Sequence, residues 1–447
     1  MREDWIECKY EDLLNYEQPT QYIVRDTKYS TSYNTPVLTA GKSFIKGYTN
    51  GTDSVFNNLP TIIFDDFTTE SKYVDFEFKV KSSAMKILIP TSYLVNMKFT
   101  FYSMQVNKVR NDTHKRYWIS VFSKKGVLIP PLPIQRAIVS KIETLFTKLD
   151  QGIADLKKAQ EQLKVYRQAV LKKAFEGELT KEWRENTADI DIQSSQKKTT
   201  TLSSEEQIVA YKIHDLNKLP EWWKWKKLGD EAELCLGKML DKKNNHGKLQ
   251  PYLGNINVRW GSFDIINLKK MKIKPNEEAR YRIEKNDLVI CEGGEPGRCA
   301  IWASEQTIYF QKALHRVRLS KHNNPYFFYY YFNYLAKTDL LKTYFTGTTI
   351  KHLTGTRLKE IRIPLPPKQE QHQIVQEIES RLSVCDKVEQ NIIDGLEKSE
   401  ALRQSILKKA FEGKLLSEAE IEKCKQEADY EPAGVLLERI KKEKGEK

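Results

Sequence analysis

No CxxC pair occurs among the six cysteines, which are scattered at Cys8, Cys235, Cys291, Cys299, Cys385 and Cys424. That spacing excludes a zinc module and a disulfide framework, and it fits a reducing cytosol. No apolar run approaches the roughly 20 residues a membrane-spanning helix needs. The chain opens on Arg2, Glu3 and Asp4 where a secretory leader would place apolar residues. A cytoplasmic location without a membrane partner is expected. There is no GxxxxGK[ST] loop, which argues against an ATP-driven motor. The histidines (His114, His214, His246, His315, His322, His352 and His372) do not cluster. Asp65 and Asp66 read as an acidic turn at a strand end, because no carboxylate–lysine cluster accompanies them. No metal and no cofactor are expected.

What the chain has in excess is positive charge, with a formal net of +13 over 447 residues. Such a balance favours an anionic polymer or surface as partner.

It also contains one long stretch twice. From Pro130 the sequence reads PPLPIQRAIVSKIETLFTKLD and continues to Leu179; from Pro366 it reads PPKQEQHQIVQEIESRLSVCD and continues to Leu415. The copies align without a gap, since 386 − 150 and 413 − 177 both equal 236, and LKKAFEG is identical in both. This is an internal duplication. In the first copy Ile138, Ile142, Leu145, Leu149, Ile153 and Leu156 recur at steps of three and four, the seam of an amphipathic helix. Ile374, Ile378, Leu382, Cys385, Val388 and Ile392 repeat the seam in the second. Pro133 and Pro367 are start signals, and Gly177 and Gly413 are stop signals preceded by paired lysines. A helix over residues 134–176 would be roughly 65 Å long. A rod of that length needs a partner, and its own duplicate is the obvious one.

The remaining chain falls into two globular parts. Residues 1–129 read as short β-rich segments separated by turns: TPVLTA, SFIKGY, TIIFDDF, KYVDFEFKVK, AMKILIP, KFTFYSMQV and RYWISVF. Alternation from Tyr73 to Val80 suggests a half-buried strand. Residues 130–179 form the first helical region, and 180–218 a polar linker with a short helix. A second mixed α/β part spans 219–363, with strands near YLGNINV, DLVICEG, AIWAS, TIYFQKA and HRVRLS, and a helix through FFYYYFNYLA. The second helical region covers 364–416, and 417–447 reads as a polar tail. The fold class is α+β: two globular domains separated by two long antiparallel helices in an intramolecular coiled coil with pseudo-two-fold symmetry.

Catalytic signatures are weak. Asn324-Pro325-Tyr326-Phe327 lacks the second proline of the amino-methyltransferase tetrad, and Gly293-Gly294-Glu295-Pro296-Gly297 has the wrong spacing for a cofactor loop. Binding signatures are better represented. In the second part Arg298 follows a tight Gly-Glu-Pro-Gly turn. Gln311, Lys312 and Arg316, then Thr349, Lys351 and His352, add donors suited to phosphates and base edges. In the first part Lys108, Arg110, Lys115 and Arg116 interleave with Tyr117 and Trp118. These eleven cationic and polar residues are the candidate DNA contacts.

The chain resembles the specificity subunits of type I restriction-modification systems. The resemblance rests on PLPPKQEQHQIVQEIE at Pro364–Glu379, on LKKAFEGEL and LKKAFEGKL ending both rods, on GTTIKHL at Gly347–Leu353, and on DLVICEGGEPGRCAIW at Asp287–Trp302. It implies a non-catalytic subunit whose two parts are target recognition domains, each reading one half of a bipartite double-stranded DNA site. It further implies rods that set the half-site spacing and dock two methyltransferase subunits, with two restriction/translocase subunits completing the complex. Candidate docking residues on the duplicated rods are Gln135, Leu171, Lys172 and Phe175, and Gln371, Leu407, Lys408 and Phe411. The resemblance is broken where Leu132–Gln135 reads LPIQ against KQEQ, so Glu370 has no counterpart and one docking surface is expected to differ. EPAGVLLERI, often found between the domains, stands at the C-terminal end. Other readings are a specificity subunit of a related restriction or phage-defence methylation system, an enzyme with an unrecognised site, and a coiled-coil adaptor that never touches DNA.

Overall fold

The computed structural model describes residues 4–445 except 27, 40–43, 108–115, 188–218, 221 and 241–245. The chain divides into two compact units, residues 1–157 with 393–447, and residues 158–392.

In the first unit, Ile6–Lys9 pairs antiparallel with Gly126–Ile129, which leads straight into the first long helix. A four-stranded antiparallel sheet runs in the order Leu14–Glu17, Met85–Pro90, Thr61–Asp65, Ser71–Val74. Thr61–Asp65 is buried along its whole length, as a central strand covered on both faces must be. A smaller sheet joins Ile45–Thr49, Thr35–Leu38 and Lys79–Val80.

Three expectations change here. The alternating run from Tyr73 to Val80 is two strands in two different sheets, interrupted at residues 75–78. KFTFYSMQV is a helix, Met97–Val106, because Asn96 caps it by accepting the Phe99 N–H at 3.0 Å. Its apolar residues Phe99 and Met104 face the core, a helical spacing that the aromatic composition masked. RYWISVF is likewise no strand: Trp118–Phe122 forms a wide helical turn.

The second unit repeats the plan. Lys224–Lys227 pairs with Arg362–Leu365, which leads into the second long helix. A four-stranded sheet runs Ala232–Leu236, Leu314–Leu319, Leu288–Cys291, Cys299–Ile301. The helix Pro325–Lys337 is capped by Asn324, whose side chain accepts the Tyr326 N–H at 3.0 Å, with Pro325 in the first turn. Asn324-Pro325 is therefore a helix start. A second sheet runs Lys269–Ile273, Lys248–Leu253, Ile308–Phe310, Arg282–Ile283, and a small hairpin joins Val258–Arg259 to Ser262–Phe263. The two units share a strand–sheet–capped-helix order that their dissimilar sequences conceal.

The duplicated stretches are helices of 44 residues each, Leu132–Phe175 and Lys368–Phe411. Both starts use the same lock. The Gln135 amide donates to the Pro130 carbonyl at 2.8 Å, and the Gln371 amide donates to the Pro366 carbonyl at 3.0 Å. Both ends use the same stop, with Gly177 at φ 78° and Gly413 at φ 68°, a backbone region that favours glycine. Within the second unit the two helices run antiparallel, since Arg167 meets Asp386 while Val170 and Phe175 share a core with Ile378 and Ile374. Within the first unit Asp150 meets Arg403, and Ile138 and Ile142 share a core with Ala410 and Leu407.

The segment read as a polar tail is part of the first unit. Glu418–Lys425 and Ala433–Gly445 are helices that bury Ile421, Cys424, Leu436, Leu437 and Ile440 in the same core as Cys8, Tyr10 and Ile138. The Lys444 ammonium donates to the Glu11 carbonyl at 2.5 Å and Lys141 meets Glu420 at 2.7 Å. Sequence reading missed this because half of each short helix is charged. Among the described residues no helix is long and apolar enough to cross a membrane.

Candidate nucleic-acid interface

Three stretches distant in sequence meet in the second unit. The turn at Glu292–Gly294, the segment Gln311–Ala313 and the loop ending at His352 line one cleft of about 410 Å³, together with Lys238, Met239, Leu240 and Asn255. Backbone contacts bring them together. Lys312 N–H donates to the Lys238 carbonyl at 2.8 Å, and Leu353 N–H donates to the Glu292 carbonyl at 2.7 Å. A Cβ at residue 237 would lie 2.1 Å from the Gln311 carbonyl oxygen, so Gly237 permits that close passage.

The candidate contacts behave differently from one another. Lys312, Thr349, Lys351 and His352 are exposed and Gln311 is half-buried, so donors and cations line or border the cleft. Arg298 is held by Glu295 at 2.8 Å and by the Asn255 carbonyl at 3.0 Å. It braces the cleft wall with part of its donor set already used.

Arg316 is corrected. It is fully buried, donates to Glu233 at 2.6 Å and to the Arg280 and Arg282 carbonyls at 3.1 and 2.8 Å, and has no surface for a ligand. Its strand position, not its charge, decides this, because its side chain faces the core of the sheet. His315 beside it is buried as well, and burial lowers its imidazole pKa from the ordinary value.

In the first unit, Lys108, Arg110 and Lys115 lie outside the described residues, and Arg116 is exposed. Tyr117 and Trp118 do not present aromatic faces to solvent. Trp118 packs on Phe64 at a centroid distance of 5.3 Å, and both aromatics are core. Asp65 accepts the Phe67 N–H at 2.8 Å and Asp66 accepts the Trp118 N–H at 2.9 Å, the roles of an acidic turn.

Sequence reading missed one basic feature. Lys269–Ile273 is the outer strand of its sheet and exposes Lys269, Lys270 and Lys272. The run KKMKIK was the available signal, but lysines on an edge strand also block unwanted pairing, so the pattern alone is ambiguous.

The docking candidates on the rods divide in the same way. Gln135 and Gln371 are buried in the proline locks, and Leu171, Phe175 and Leu407 are buried in cores, so none of these five can meet a partner directly. Phe175 is enclosed by Phe327, Tyr331 and Tyr334 at centroid distances of 5.3, 5.0 and 5.6 Å. Lys172 and Lys408 are exposed. Phe411 is half-buried against Phe99 at 5.1 Å and lines, with Lys408, Gln404 and Val106, an open groove of about 670 Å³.

Glu370 is also corrected. It is 1% exposed and offers no docking surface. It accepts from Arg184 at 2.6 Å, the Thr180 hydroxyl at 2.8 Å, and the Trp223 and Trp222 indoles at 3.0 and 3.2 Å. Its position in the first copy is Ile134, which lies in one apolar cluster with Trp5, Leu416 and Ile421. A polar seat in one unit stands where the other has an apolar one.

Residues 220–398 match the family described as Type I restriction modification DNA specificity domain. That stretch is similar to the family's domain, and the chain is similar to specificity subunits of type I restriction enzymes. It is 40% identical over 188 residues to the Type I restriction enzyme EcoR124I/EcoR124II specificity subunit of Escherichia coli, covering 39% of this chain and 45% of that one. With the EcoKI specificity subunit of Escherichia coli strain K12 it shares 27% identity over 333 residues, 72% of this chain and 65% of the relative. It thus spans about half to two thirds of the length of these relatives. The fold is similar to the crystal structure of the HsdS subunit from Thermoanaerobacter tengcongensis, at a TM-score of 0.56 and 16% identity over 93% of this chain and 98% of that one. A chain from a structural study of complex assembly and conformational transition in the type I R-M system gives a TM-score of 0.62 at 16% identity, over 93% of this chain and 99% of that one.

Proposed function

We propose that this chain is a type I specificity subunit and reads a split, asymmetric double-stranded DNA sequence, one half with each unit. On this reading two methyltransferase subunits dock on the rods, two ATP-dependent restriction/translocase subunits complete the complex, and the chain itself performs no chemistry. The observation that carries the reading is one strand–sheet–capped-helix order built twice on duplicated helices, while the two globular parts differ in sequence. A duplicated helix suits two copies of one partner; globular parts of unlike sequence suit two unlike half-sites. In the second unit the cleft with Gln311, Lys312 and His352 gives phosphate-binding cations beside groups able to hydrogen-bond base edges. Among the described residues no cluster of metal-ligating side chains is found, and Cys291 and Cys299 are buried with pKa values pushed up, opposite to an activated thiol.

The rods are the ruler for the unread spacer between half-sites, and the exposed Lys172 and Lys408, with the groove at Phe411, are the docking surfaces. Methylation of an adenine requires the base to leave the helix, a task for the partner. The experiment is to map methylated adenines before and after deletion of the gene in cells that express the partner subunits. Loss of methylation at one bipartite motif is expected; an unchanged methylome overturns the proposal.

A further inference from the structure

Duplication gives each long helix two possible antiparallel partners: the unlike helix of its own chain, or the like helix of a second copy. The ion pairs along the helices do not choose between them. Arg167 meets Asp386 and Arg403 meets Asp150. By the offset of 236 positions, two first helices would set Arg167 against Asp150, and two second helices Arg403 against Asp386. An arginine finds an aspartate in every case. The proline locks lie within each copy, so they do not choose either. Exchange of identical elements between copies is a low-cost route to dimers, so the choice must be made elsewhere.

The helix starts differ, and each is covered by the segment that follows the other helix. At the start of the second helix, buried Glu370 accepts from Thr180 and Arg184, which follow the first helix. Its other donors are the indoles of Trp222 and Trp223, from its own half of the chain. At the start of the first helix, Ile134 lines a small cavity with Leu416 and Ile421, which follow the second helix. Two turns further on, Lys141 meets Glu420 at 2.7 Å. The positions correspond at the same offset of 236: Ile134 to Glu370, Lys141 to Glu377, Thr180 to Leu416 and Arg184 to Glu420. At every one of them the two copies differ in polarity or in the sign of the charge.

We infer that each helix start is an interaction surface matched only to the segment following the unlike helix, so that the chain folds on itself and excludes a second copy. Every molecule then holds one of each globular part. In a pair of first helices Arg184 would meet Ile134 and Lys141, with no carboxylate at either position. In a pair of second helices Leu416 would cover Glu370, without the guanidinium and hydroxyl that now donate to it, and Glu420 would meet Glu377. Each like pair strands a charge that is now buried with its partner, at a cost well above what the exposed pairs contribute. The inference concerns pairing of the duplicated helices and does not rest on the DNA-reading function proposed above.

The test rebuilds the second unit's seat in the full chain, in two steps. Glu370→Ile with Glu377→Lys gives Thr180 and Arg184 the start they would meet in a pair of first helices. Thr180→Leu with Arg184→Glu gives Glu370 the cover it would meet in a pair of second helices. Each double variant should lower the thermal midpoint by about 10 °C, because one charge of a buried pair loses its partner. All four changes together reproduce the chemistry of the first unit's seat and should raise the midpoint at least about 5 °C above either double variant. The indole N–H groups, which lose their acceptor, account for the remainder. Residues that only support local packing would give losses that add. A fourfold variant that gains less than this, or does not fold, overturns the inference, and so do double variants as stable as the parent.

Discussion

Arg167 of the first long helix reaches Asp386 of the second at 2.7 Å and Glu389 at 2.9 Å. The residues at the duplicate positions, 236 after Arg167 and 236 before Asp386, repeat the arrangement in the other unit: Arg403 pairs with Asp150 and lies over the Phe146 ring at 4.4 Å. The duplication therefore preserves a reciprocal contact, arginine of each copy to aspartate of the other. Asp386 and Asp150 are both largely exposed, so solvent screens these pairs. A double-mutant cycle of Arg167→Ala with Asp386→Ala should give a coupling of about 1 kcal/mol or less, falling with salt. A coupling several times larger would show the pair to be a main source of rod stability.

Glu370 should matter far more. Its carboxylate is buried against four donors, and its ion-pair partner Arg184 is itself largely buried. Glu370→Ala leaves that cation unpaired, and denaturant unfolding should report a loss of about 3–5 kcal/mol. Introducing a carboxylate at the duplicate position, Ile134→Glu, places an unpaired charge in the cluster of Trp5, Leu416 and Ile421 and should destabilise the first unit comparably. Two mild effects would mean that the seats tolerate either chemistry.

The units should respond to acid in different ranges. Burial lowers the His315 pKa, while its Nε2 N–H donates to the Leu353 carbonyl at 3.0 Å. The unfolded chain then takes up the proton first, so the second unit should lose stability progressively as pH falls below about 6.5. In the first unit Lys141, with help from Ser417, holds Glu420 down to about 2. That contribution is present above the unfolded value of about 4.3 and is lost between there and about 2. Thermal unfolding across pH should show the second unit softening first, and His315→Gln should flatten its slope near neutrality. A slope that His315→Gln leaves unchanged would assign the effect to other groups.

The exposed cations of the cleft should act through salt. Replacing Lys312 or Lys351 by alanine should weaken DNA binding uniformly across sequences and reduce the slope of log affinity against log salt by about one each. Arg316→Ala should instead lower stability, because it strips Glu233 and the Arg280 and Arg282 carbonyls of a buried donor. DNA titrations at several salt concentrations, with unfolding curves alongside, separate the two classes.

The parts legible from sequence are those written in local periodicity. The rods follow from a seam at three- and four-residue steps between proline starts and glycine stops, and the observed helices begin and end within two residues of 134–176 in the first copy. GTTIKHL and the Gly-Glu-Pro-Gly turn could be singled out because their backbone demands are encoded in residue type. Burial was harder to read. Arg316 and Lys312 carry the same charge four residues apart, yet one is sealed in the sheet and the other lines the cleft.

The sequence by itself determined the duplication and the net positive charge, which need no fold, and the lengths and boundaries of the two long helices, which rest on neighbours within a few residues. Only the tertiary structure decided that Glu370 is a buried acceptor, that Gln135 and Gln371 lock helix starts, and that Glu418–Gly445 completes the first unit. It also decided that residues from 238 to 352 close around one cleft. Those outcomes depend on which distant atoms exclude water from a side chain, and chain separation carries no record of that.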